Sequence, residues 1–113
     1  MHIEDFRLYC LNKSFVTEEF PFGPETLVYK VKGKIFAITG LNEVSLKVNL
    51  KCDPEKAILL RENHMEVQPG YHMNKKHWNT IDFERNLSSK ILKELLDHSY
   101  QLVAASLPVK DRF

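Results

Sequence analysis

"TLVYKVKGKIFAITGLNEVSLKVNLK", residues 26–51, decides the fold. β-Branched and aromatic residues crowd positions 26–40 on both sides of Lys32-Gly33-Lys34. That is the pattern of two strands around a tight turn, with Gly33 supplying the positive φ that a short hairpin needs. "SLKVNLK", residues 45–51, is the cleanest alternation in the chain. Leu46, Val48 and Leu50 point one way, and Ser45, Lys47, Asn49 and Lys51 the other. Three consecutive antiparallel strands are therefore expected over 26–51, with one apolar face and one face carrying lysines.

The flanks extend this reading. Ile3, Phe6, Tyr9 and Cys10 recur at helical intervals and predict a short amphipathic helix over 2–12. "EEFPFGPE", residues 18–25, holds Pro21, Gly23 and Pro24, which forbid regular helix and mark an edge strand and turn. "CDPEKAILLREN", residues 52–63, opens a helix explicitly, with Asp53 as cap and Pro54 at the first helical position. Ala57, Ile58, Leu59 and Leu60 are expected to supply its buried face. Two short strands follow at about 71–73 and 77–83, joined through Asn74, Lys75 and Lys76. From Leu87 to Leu107, Ile91, Leu92, Leu95, Leu96, Leu102 and Val103 form the apolar stripe of a long helix that Pro108 ends. Its Ile91, Leu95 and Leu102 are expected on the sheet. No strand–helix–strand unit repeats, so the class is α+β: an antiparallel β-sheet with helices packed on one face.

Composition bounds the function. The 113 residues fit one domain, and 43% hydrophobic with 27% charged residues describe a water-soluble globular chain. No segment approaches the ~20 apolar residues of a membrane helix, and the N-terminus lacks the basic-then-apolar pattern of a secretion signal. The cytoplasm is the expected location. Cys10 and Cys52 stand alone, without a CxxC pairing, and read as reduced, partly buried thiols. Net charge is +1, unevenly spread: residues 26–51 hold five lysines against Glu43, a local +4.

Motifs for catalysis are missing. There is no GxGxxG, GxxxxGK[ST], GxSxG or HExxH. His72 and His77 have no carboxylate or thiolate at ligand spacing, so no metal site is expected there. No enzyme activity and no cofactor are expected. The basic residues offer more. Lys30 and Lys32 share a strand face, as do Lys47, Asn49 and Lys51, and they form a basic stripe if helices cover the other side. Lys32 and Lys34 flank one hairpin tip; Asn74, Lys75 and Lys76 form another. Such lysines neutralise phosphates, and Tyr71 or Trp78 could stack on a base. The same lysines also blunt sheet edges and keep a small domain soluble. Trp78 is expected to be a partly buried packing residue at the core rather than an exposed stacking platform.

"FPFGPETLVYKVKGKIFAI" (20–38), "VNLKCDPEKA" (48–57), "PGYHMNKKHWNTI" (69–81) and "DHSYQLVAASLP" (97–108) together resemble the MmcQ/YjbR family of small bacterial proteins. The resemblance runs from the first helix to Pro108. It implies a CyaY-like fold, and it implies DNA binding through a double wing of projecting hairpins. The family's motif falls on Phe20 to Gly23, on Lys30, Gly33 and Lys34, and on Asn49, Leu50 and Lys51. It continues through Pro69 to Trp78, which includes Tyr71, His72 and His77, and ends at Ser99 and Tyr100. Frataxin, which shares the implied fold, binds iron, but the first helix here offers only Glu4 and Asp5 beside Arg7.

Three functions follow as expectations. The first is a non-specific DNA-binding module using the hairpin tips and sheet lysines. The second is a protein-interaction domain, and the third a small-molecule binder; both would use a groove lined by Tyr29, Tyr71, His72 and Trp78. A monomer is expected in each case.

Overall fold

The computed structural model describes residues 1–113. Strands β2 (Thr26–Val31) and β3 (Lys34–Gly40) form the expected hairpin. Its two turn residues, Lys32 and Gly33, have φ of +46° and +85°. Two positive φ values in a two-residue loop match the right-handed twist of the strands it joins. β4 (Lys47–Lys51) pairs antiparallel with β3, completing the three strands read from the sequence. Around them stand α1 (Ile3–Leu11), β1 (Val16–Glu19), α2 (Pro54–Asn63), β5 (Val67–Pro69), β6 (Trp78–Asp82) and α3 (Ser89–Ala105). The sheet order is β1-β2-β3-β4-β6-β5, and every neighbouring pair is antiparallel.

Alternation sorts the sheet into two faces. Leu27, Tyr29 and Val31 of β2, Val48 and Leu50 of β4, and Ile81 of β6 enter the core with Phe6 and Cys10 of α1 and Leu92, Leu95, Leu96 and Val103 of α3. Phe6 meets Tyr29 and Phe83 edge-on at 5.4 and 5.6 Å between ring centres, a favoured aromatic geometry. A register shift after Tyr29 leaves Phe36 as an extra residue in β3, so Phe36 and Ala37 are both buried. At that bulge β3 and β4 diverge, and the fully buried Ser99 of α3 fills the gap. Its Oγ accepts from the Lys51 N–H at 2.9 Å and donates to the Phe36 carbonyl at 2.6 Å.

Three expectations need correction. In α2 only Ala57 is buried; Ile58 and Leu59 are 48% and 57% exposed, and Leu60 is half-buried. The helix lies against the short edge strand β5, which can cover one narrow stripe of it. Asn79 of β6, itself fully buried, ties it down by donating to the Ala57 carbonyl. Second, the strand expected at 71–73 lies instead at Val67–Pro69. Residues 71–77 coil into turns because the N–H groups of both His77 and Trp78 donate to the Asn74 carbonyl, which leaves no extended row to pair. Third, the stripe of α3 is centred on Leu92, Leu95, Leu96, Ser99 and Val103, with Ile91 and Leu102 half-buried on its shoulders.

Candidate nucleic-acid interface

The helices leave the β4–β6 part of the other sheet face uncovered, while on β2 of that face Val28 is fully buried. Lys47, Asn49 and Lys51 project there from β4, opposite Asp82, Thr80 and Trp78 of β6. A short polar chain holds the middle of this patch. The Thr80 hydroxyl donates to Asn49 Oδ1 at 2.5 Å and accepts the Tyr71 N–H at 3.0 Å. The Tyr71 backbone is thereby tied to β6 while the residue stays 68% exposed. His72, at φ +58°, holds its own ring 4.0 Å from that of Tyr71.

Trp78 sits between these groups. It is half-buried, as expected of a partly buried packing residue, but it lies outside the core cluster, not at the core as expected. Strand alternation explains this: Asn79 and Ile81 point to the helices, so Trp78 and Thr80 cannot. Gly70 fixes its position. A Cβ at Gly70 would lie 2.9 Å from both the Cβ and the carbonyl oxygen of Trp78, so only glycine allows the loop this close. The Gly70 N–H donates to that same carbonyl at 2.9 Å, and the Cys52 N–H to the His77 carbonyl at 2.8 Å. Together these bonds set Trp78 directly across from Lys51.

The seven candidate lysines divide by what already occupies them. Lys30 pairs with Glu19 at 3.1 Å. Lys32 donates to the Asp111 carbonyl at 2.8 Å and lies over the rings of Phe15 and Phe113. Lys34 donates to the Ser106 carbonyl at 3.2 Å. Lys75 donates to Gly70 at 3.0 Å inside its own loop. Lys47, Lys51 and Lys76 form no ion pair and no side-chain hydrogen bond; Lys51 stands across from Trp78, Lys47 lies further along the same strand face opposite Asp82, and Lys76 is exposed in the turn two residues before Trp78. Asn74 turns its side chain onto the Lys76 N–H at 2.9 Å and so shapes the loop rather than facing a ligand.

Other expected roles fare differently. Tyr29 cannot line a groove with Trp78: it is fully buried on the helix side, donating to Glu18 at 2.6 Å. Glu18 also takes Arg7 of α1 at 2.9 Å. Burial pulls its carboxyl upward, but the bonds from Tyr29 and Arg7 outweigh this and hold it below its usual value. Both thiols are buried and free, and burial pushes Cys10 up to about 12 and Cys52 up to about 11. Burial of this kind disfavours the thiolate form of both. No three His, Cys, Asp or Glu side chains converge as metal ligands, and the two larger clefts border α1 and the α2–α3 junction, away from Trp78. Sequence reasoning does not single out Thr80, Gly70 or Glu19 as site residues. Only Gly70 carries a local signal, as a glycine following proline.

These features define an α+β domain with one sheet face sealed by helices and a polar and aromatic patch on the β4–β6 part of the other. The YjbR family model matches residues 11–102, and the chain belongs to that family. It is 37% identical to YbdF of Escherichia coli O157:H7 over 96% of this chain and 89% of that one. It is 33% identical to YjbR of Escherichia coli K12 over 99% and 95%. A crystal structure of a DUF419 protein from Deinococcus radiodurans superposes with a TM-score of 0.91 at 37% identity, covering 96% of this chain and 83% of that one. A Pseudomonas syringae protein gives 0.79 at 27% identity, covering 91% and 99%. No helix is long and apolar enough to cross a membrane.

Proposed function

We propose that this protein is a nucleic-acid-binding module of low sequence specificity, acting through the open sheet face. The observation that carries the reading is that Lys47 and Lys51, on the sheet face that holds the half-buried Trp78, and Lys76, in the adjoining turn beside the exposed Tyr71 segment, lack protein partners. Lysines held by acids must break those pairs before they can release counterions from a phosphate backbone; free ones need not. Few groups on this face are placed to read base edges, so affinity comes from backbone contact. The double wing implied by the family resemblance is supported less well, because Lys32, Lys34 and Lys75 are tied to backbone carbonyls. A cytoplasmic location fits this role.

Fluorescence anisotropy with labelled random-sequence DNA at two salt concentrations tests the proposal. Measurable affinity should fall with salt, and replacing Lys47, Lys51 and Lys76 by alanine should flatten the slope of log K by about 2–3. Absence of binding at low salt, where screening is weakest, removes the proposal and leaves a protein-interaction role.

A further inference from the structure

We infer that the ligand of the open face is a single strand of nucleic acid, its bases stacked on Trp78 and Tyr71 and its phosphates met by Lys51, Lys47 and Lys76. This rests on the nucleic-acid reading above and adds the class of ligand. Three observations support it.

The first is shape. Major-groove readout of a duplex takes a helix or a two-stranded ribbon. Here every long helix packs on the opposite face, and the turn of the β2–β3 hairpin is bound through Lys32 and Lys34 to the segment after α3. What remains is a sheet surface, on which an extended strand can lie.

The second is the placement of the rings. Trp78 and Tyr71 are the large aromatic groups of this patch, and neither belongs to the core. The fold nonetheless positions both: Gly70 against Trp78, and Thr80 beneath the Tyr71 amide. A duplex keeps its base faces stacked internally and offers nothing to such rings. A single strand exposes them, and stacking accepts any base.

The third is charge. Three free lysines are few for a duplex binder, whose affinity depends chiefly on phosphate neutralisation. Asp82 opposite Lys47 reduces the field further. With so small an electrostatic contribution, the rings decide which form of nucleic acid binds.

Trp78 is the single tryptophan, so its emission reports this patch alone. Intrinsic fluorescence should be titrated with a thymidine oligonucleotide and with a random duplex of equal length. The inference expects quenching by the oligonucleotide, and affinity about 10-fold or more above that for the duplex. Trp78→Ala and Tyr71→Ala should each weaken single-strand binding, read by anisotropy, about 10-fold while changing duplex binding little. Tyr71 is largely exposed, so Tyr71→Ala decides the matter if Trp78→Ala does not fold. Equal affinity for both forms, or an unchanged Tyr71→Ala, overturns the single-strand inference while leaving nucleic-acid binding in place. If neither form binds, both readings fall.

Discussion

Ser99 is a hydroxyl in the middle of an apolar helix stripe, and it is there because β3 and β4 part at the Phe36 bulge. Ser99→Ala would leave the Lys51 N–H and the Phe36 carbonyl without partners. Orphaned buried groups cost about 1–3 kcal/mol each, so the variant should lose about 2–3 kcal/mol and melt about 10 °C lower or more. Calorimetry checks this; a loss below about 0.5 kcal/mol, the level of an ordinary surface change, would show that water replaces the hydroxyl. His98 nearby accepts the Asp53 N–H through Nε2 at 3.1 Å. Burial, helped by the charge of Lys56 and opposed by Asp53, lowers its pKa from the ordinary 6.5. The unfolded chain therefore takes up this proton first, so stability should decline as pH falls below about 6.5 and level off beneath the folded value. Melting curves of wild type and His98→Gln between pH 7.5 and 5 should converge toward acid, since glutamine keeps an acceptor without the proton. Parallel curves would contradict this. None of these contacts was legible in the sequence. A polar residue at a stripe position is visible there; the bulge that needs it is a property of strand pairing.

At the scale of elements, the hairpin and the strands beside it were legible because two signals agreed: period-two alternation and glycine at the turn. The β5–β6 region was not. "VQPGYHMNKKHW" holds aromatic residues where turns occur, and strand propensity there yields to the hydrogen bonds that Asn74 collects. Helix α2 was legible in its cap and misleading in its burial, because apolar residues all round a helix do not tell which side meets the sheet. The wings raise a testable contrast. Lys32→Ala with Lys34→Ala removes lysines already bound to Asp111 and Ser106. It should leave the salt slope of nucleic-acid binding unchanged. Lys47→Ala with Lys51→Ala should lower that slope by about 0.7 for each single-strand phosphate that is no longer neutralised. Equal slope changes in the two double variants would restore the hairpin tip as the contact surface.

Across the whole molecule, a net charge of +1 conceals the division that matters. The helix-covered side buries the aromatic core and holds Glu18 and Asp97 in internal bonds, Asp97 taking both Tyr9 and Lys13. The other side keeps Lys47 and Lys51 unpaired on the face that holds Trp78. Sequence reading placed Lys47, Asn49 and Lys51 on one face because β4 alternates cleanly. It could not tell which lysines would be neutralised, since that depends on Glu19 across β1–β2 and on the path of the chain after α3. Amide chemical-shift mapping of labelled protein with a thymidine oligonucleotide tests the central claim directly. The shifts should concentrate in residues 47–51 and 70–80, with the Trp78 indole N–H among the largest, and should spare α1 and the turn at 32–34. Shifts centred on that turn or on the helices, or none at low salt, would contradict the assignment of the open face.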